Sequence, residues 1–184
     1  AATLSEIEDI YRPYRPKRKT RASVARQKGL EPLAQEILKQ EKDSELPLKL
    51  AEKYISEELG VTSAEDALQG ALDIIAEIIS DDAAIRKRLR VVAFAQGILH
   101  TKASNPDEDS VYSQYYEFSH PVSKMASHQV LAIDRGEREG FLKVNLELER
   151  ARGLHILTST YLKGDGLCAK EVSRAAEDAY DRLI

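Results

Sequence analysis

Residues 63–79 carry the most restrictive pattern in the chain. Leu68, Ala71, Leu72, Ile75 and Ile79 recur at three- and four-residue spacing. Side chains spaced in this way line one face of an α-helix, and a stripe that wide has to be buried against other elements. Ser63 stands where an N-cap belongs, and Asp66 adds negative charge to the first turn. Such a helix requires the rest of the chain to supply apolar partners. The composition can do so, with 42% apolar residues over 184 positions. There is no Trp and only three Phe, so the core must come from Leu, Ile, Val and Ala, with Tyr at its margins. The charged fraction of 32% is high and suits helices with solvated faces.

Helical punctuation continues on both sides. Leu4, Ile7 and Tyr11 share a face of a short first helix, which Thr3 or Ser5 can cap and Pro13 ends. Thr20 suits the N-cap of a second helix, and Gly29 its C-terminal stop. Pro32 fits the first turn of a third helix, and Pro47 opens a fourth, running to Leu59. Asp81 or Asp82 begins the helix containing Ile85, Leu89 and Val92. Tyr112, Tyr115 and Tyr116 mark a short helix, and Ser127 reads as the N-cap of one ending near Gly140. Residues 141–149, FLKVNLELE, alternate with period two and predict a half-buried strand. No second strand of that quality stands out, so its partner is expected in a short irregular segment or in a part of the protein not present here. The expectation is a mainly α fold, a multi-helical module of roughly eight to ten helices with one short β-strand or hairpin element. It covers residues 1–184 and divides into two helical subdomains at about 1–104 and 105–184.

The charge pattern singles out one segment. The chain has 27 Lys+Arg against 31 Asp+Glu, yet residues 11–28, YRPYRPKRKTRASVARQK, contain no acid. Arg12, Arg15, Lys17, Arg18, Lys19, Arg21 and Arg26 are its candidate phosphate contacts, and Tyr11 and Tyr14 offer stacking faces. Pro13 and Pro16 equally suit an extended structural clamp, in which these cations fold against the acidic body of the same chain. Both readings stand on charge patterning alone.

Other chemistry is poorly supported. His100, His120, His128 and His155 are scattered without metal-ligand spacing, so neither a metal nor a cofactor is expected. Gly164 and Gly166 match no phosphate-binding loop, and Ser127-His128 is not a nucleophile elbow. Cys168 is the one cysteine, which excludes an internal disulfide and suits a reducing cytoplasm. No apolar run reaches transmembrane length, so no membrane partner is expected. Together these point away from an enzyme. The chain opens without Met inside a helical pattern and ends on Arg182-Leu183-Ile184 without a stop signal, which reads as a segment of a longer protein.

Two stretches carry a family resemblance. IEDIYRPYRPKRKTRASVARQKGLEPLA at 7–34 and PVSKMASHQVLAIDRGEREGFLKV at 121–144 resemble the N-terminal region of the Tex family of bacterial transcription accessory proteins. The ending EDAYDRLI fits as well. Three positions depart from the family pattern: His120 before Pro121, Ala126 in place of Pro, and Gln129 in place of Arg. The resemblance implies a helical module preceding RNase H-like, helix-hairpin-helix and S1 domains, in a scaffold that associates with RNA or DNA. Its implied partners are nucleic acid, held mostly by those other domains, together with the remaining domains of the protein and the transcription machinery. It also shifts the basic segment towards a proline-braced joint built on Tyr11, Pro13, Tyr14 and Pro16, with phosphate contact secondary. The alternative is a docking module whose basic segment meets an acidic partner or another domain of the same protein. In the second stretch, Ser127 is expected to cap a helix, and Gly136 and Gly140 to permit the turn into the strand. Arg135 and Glu139, four apart, are expected to pair.

Overall fold

The structure, a computed structural model, describes residues 3–15, 19–41 and 45–184. Pro16, Lys17 and Arg18 lie outside the described residues. Nine α-helices and three strands occur among those described. They run α1 (Leu4–Tyr11), α2 (Arg21–Gln27), α3 (Glu31–Lys39), α4 (Pro47–Glu52), α5 (Ala64–Asp81), α6 (Ala83–Gln96), β1 (Ile98–Ala103), β2 (Glu117–Pro121), α7 (Ser127–Arg138), β3 (Leu142–Glu147), α8 (Arg150–Tyr161) and α9 (Leu167–Asp178). The chain is mainly α with a small sheet, as the sequence predicts. It packs as two units: Ala1–Lys87 with Leu154–Ile184, and Arg88–Gly153.

In the first unit α5 is the axis. It packs against α2, α3, α4 and α9. The predicted stripe Leu68, Ala71, Leu72, Ile75 and Ile79 is buried, against Leu33 and Ile37 of α3 and Val172 of α9 in the same core. Alanines at 67, 71 and 76 keep the α5 surface low, so neighbouring helices approach closely. Gly70 does the same for α2: a Cβ there would collide with Leu30 and press on Ala25. The caps follow the sequence. Thr3 and Glu6 form a reciprocal capping box, Ser63 accepts from the Asp66 N–H, and Asp82 accepts from the N–H groups of Ala84 and Ile85. Gly29, at φ +76°, ends α2 in the left-handed conformation that glycine adopts without strain.

The second unit is built on a three-stranded antiparallel sheet of order β2-β1-β3. His100 stands opposite Ser119 on one side and Asn145 on the other. The partner of the predicted strand is therefore β1, from within the chain. One sheet face contributes Leu99, Phe118, Leu142 and Val144 to a core shared with Tyr112, Tyr115 and Ile133. The buried Thr101 hydroxyl donates to the Tyr115 carbonyl, which ties β1 to the 3-10 turn Ser113–Tyr115.

Several local expectations change. α4 stops at Glu52 rather than Leu59, and the chain then turns through a bridge between Ser56 and Val61. Pro13 does not hold an extended segment. It sits in a 3-10 turn, Arg12–Tyr14, that continues α1, and the backbone becomes extended only at Arg15. Ser127 is not the N-cap of α7. Ala126 takes the extended cap conformation, and its N–H is satisfied by the Gln129 side chain at 3.0 Å. Arg135 and Glu139 form no ion pair. The Glu139 carboxylate instead accepts from the Tyr112 hydroxyl at 2.8 Å, and the ion pair four apart on α7 is Asp134–Arg138 at 3.0 Å. Gly140, at φ +84°, makes the turn towards β3, with Phe141 N–H reaching the Gly136 carbonyl at 2.9 Å. Gly136 is needed for space: a Cβ there would stand 2.7 Å from Leu142 Cδ1 and 3.1 Å from Tyr112 Cδ1.

Candidate nucleic-acid interface

The basic segment is laid onto the first unit by named ion pairs. Thr20 begins α2 with a capping box, its Oγ1 accepting from Ser23 N–H at 3.0 Å while Ser23 Oγ accepts from Thr20 N–H at 2.8 Å. The same Thr20 hydroxyl donates to Glu77 Oε2 at 3.0 Å. Six residues further on in α2, Arg26 Nη1 donates to Glu77 Oε1 at 2.6 Å, and its Nε donates to Glu31 Oε2 at 2.7 Å. Glu77 thus spends both oxygens on α2. Partial burial works against the Arg26 charge, but the carboxylates of Glu77 and Glu31 outweigh it and raise the guanidinium pKa.

Four residues after Glu77, Asp81 takes Arg12 Nε at 3.0 Å. Glu77 and Asp81 are both buried on α5, at the fourth-residue spacing that puts them on one face. Asp9 takes Arg86 Nε at 3.0 Å, and Lys28 Nζ donates to the Gly60 carbonyl at 2.8 Å. Tyr161 donates to Asp82 Oδ2 at 3.0 Å. Burial, reinforced by that carboxylate, pushes the Tyr161 hydroxyl pKa up. A groove of about 840 Å³ is lined by Thr20, Arg26, Glu77 and Asp81 together with Tyr14 and Arg15.

The cations of the segment therefore divide. Arg12 and Arg26 are engaged with the core. Arg15, Lys19 and Arg21 are exposed, and none of them makes an ion pair with a described residue. Lys19 and Arg21 border a second groove of about 450 Å³ between α2 and α5, with Lys28, Gln69 and Asp73. Tyr14 is among the most exposed large side chains, and Tyr11 is also exposed. The motif Ser127, Arg135, Gly136, Glu139 and Gly140 belongs to the other unit, where it shapes the end of α7 and the entry to β3. Among the described residues no group of three or more His, Cys, Asp or Glu could hold a metal ion, and no helix is long and apolar enough to cross a membrane.

Sequence reasoning missed the acids that receive the basic segment. Glu77 and Asp81 are separated from their partners Arg26 and Arg12 by 51 and 69 residues. The available signal was the pair Glu77 and Asp81, two acids four apart in the mostly apolar C-terminal half of α5.

This architecture defines a helical module with an ion-paired basic segment and a small antiparallel sheet. A family model described as Tex central region-like matches residues 42–178, and the chain belongs to the Tex family. It is 43% identical over 185 residues to protein YdcI of Bacillus subtilis, covering 98% of this chain and 26% of that protein. Its identity is 36% over 152 residues to the transcriptional accessory protein Tex of Neisseria gonorrhoeae, covering 81% of this chain and 19% of that protein. It is also 30% identical over 156 residues to the human S1 RNA-binding domain-containing protein 1, covering 79% of this chain and 15% of that protein. The chain thus spans about a quarter or less of the length of these relatives.

Proposed function

We propose that this region is a non-enzymatic scaffold within a cytoplasmic transcription accessory protein, and that it adds an auxiliary phosphate contact to RNA or DNA. The division of the basic segment carries this reading. Arg12 and Arg26 hold the described ends of the segment against the first unit, and Arg15, Lys19 and Arg21 remain exposed. Cations fixed in this way neutralise backbone phosphates without reading bases, so affinity rises without sequence choice. The names of the relatives, a transcriptional accessory protein and an S1 RNA-binding domain protein, support the nucleic-acid side of the proposal.

The test is a salt titration of binding to single-stranded RNA and to duplex DNA. Arg15→Ala/Lys19→Ala/Arg21→Ala should flatten the dependence of log K on log salt by roughly one unit per lost contact. It should leave thermal unfolding unchanged. Arg12→Ala/Arg26→Ala should do the reverse, lowering the melting temperature. Absence of binding by the wild type at low salt would remove the phosphate reading.

A further inference from the structure

Helix α1 is mounted with its polar side inward. Its one buried residue is Asp9, 6% exposed, held by Arg86, and Glu6 reaches Lys87 Nζ at 2.7 Å. Successive residues of a helix lie about 100° apart. Leu4, Ile7 and Tyr11 therefore point away from the side that carries Asp9. Tyr14 extends the same stripe, because side chains three apart eclipse one another in a 3-10 turn. With Ile10 at the margin, five large apolar side chains are exposed, from 54% at Ile7 to 79% at Tyr14. A contiguous apolar patch of this kind marks an interaction surface.

The spacing describes the partner. Positions 4, 7, 11 and 14 alternate steps of three and four, the seam by which one helix packs against another. The size says how the partner arrives. Five such side chains offer on the order of 500 Å². A stable interface between free partners needs roughly 800 Å² a side. A second copy or a separate protein would hold this stripe weakly. A helix in the same polypeptide would not, because tethering supplies an effective concentration in the millimolar range. The relatives are at least about four times longer than this chain, so such a helix has room to exist.

We propose that the Leu4–Ile7–Tyr11–Tyr14 stripe is an intramolecular docking surface for an apolar-faced helix that lies outside residues 1–184 in the same polypeptide. An eight-residue helix is marginal by itself, and the docked helix supplies the apolar burial that its own unit does not.

Hydrogen exchange at residues 4–14 tests this in the full-length polypeptide, beside residues 1–184 alone. The expected result is exchange at least about tenfold slower in the full-length protein at every concentration. Ile7→Asp/Tyr11→Lys should abolish that slowing and leave exchange in α5 unchanged. A photo-cross-linking residue at position 7 should couple, within one chain, to a helix beyond residues 1–184. Equal exchange in the two proteins overturns the proposal. So does protection that grows with protein concentration, or a cross-link that joins two chains or falls within residues 1–184.

Discussion

Arg86 Nε donates to Asp9 Oδ1 at 3.0 Å, and Arg86 Nη1 donates to the Ser80 carbonyl at 3.2 Å. A single guanidinium thereby connects α1 to the end of α5. Asp9→Ala should cost about 1–3 kcal/mol, because it leaves a half-buried guanidinium short of an acceptor. Arg86→Ala should cost a similar amount by removing a charged donor from the buried Asp9 carboxylate. The double variant should be less destabilised than the sum of the two, and urea unfolding of all four proteins measures that coupling.

Asp73 makes a pH prediction of definite sign. Burial raises its carboxyl pKa above the ordinary 3.8, and the charges of Arg182 and Arg21 only partly offset this. A carboxyl raised on folding contributes stability that is complete below its unfolded value and is lost as pH rises through the folded value. Asp73→Asn should therefore raise the melting temperature at pH 7, and the gain should vanish below about pH 3.8. Thermal melts across that range check both halves of the claim.

Glu6 runs the opposite way. The Lys87 ammonium, then the Thr3 N–H, hold its carboxyl down at about 2 against an ordinary 4.5. Its contribution is present above the unfolded value and is lost as pH falls from about 4.5 towards 2. Lys87→Ala should move the Glu6 titration upward towards 4.5, as followed by its side-chain carbonyl resonance.

Gly136 is held to its size by Leu142 and Tyr112. Gly136→Ala should destabilise the second unit by about 1–2 kcal/mol, since the overpacking outweighs the better helix propensity of alanine. Gly136→Ala/Leu142→Ala should recover part of the overpacking cost and add a cavity cost. Denaturant unfolding followed by tyrosine fluorescence separates the two.

Local chemistry made much of the fold legible. Thr3, Thr20, Ser63 and Gly29 act where their side chains or backbone preferences place them, and the α5 stripe is buried as its spacing requires. The two other strands were hidden for a physical reason. β1 follows α6 after only Gly97, and its residues ILHTKA mix apolar and polar groups because the other face of the sheet is not lined by the same core. β2 is five residues long and ends in proline, which weakens its signal further. The basic segment was visible as charge but not as a divided set. Which cations are engaged depends on acids 51 and 69 residues away, and no local pattern reports those distances. The orientation of α1 was hidden in the same manner. Its apolar side is plain in the sequence, but three distant charged residues, Asp81, Arg86 and Lys87, decide which way the helix faces.

The discontinuous first unit has a consequence for synthesis. α5 finds one of its main packing partners in α9, which the ribosome produces only after the whole of residues 88–153. At about 5–20 residues per second, the apolar side of α5 waits roughly 5–20 s for that partner. The second unit has all of its strands during that interval and can finish folding first. The nascent chain therefore passes through a state with a completed insert and an unfinished host, in which the part of α5 that α9 covers stays open to chaperones until α9 arrives.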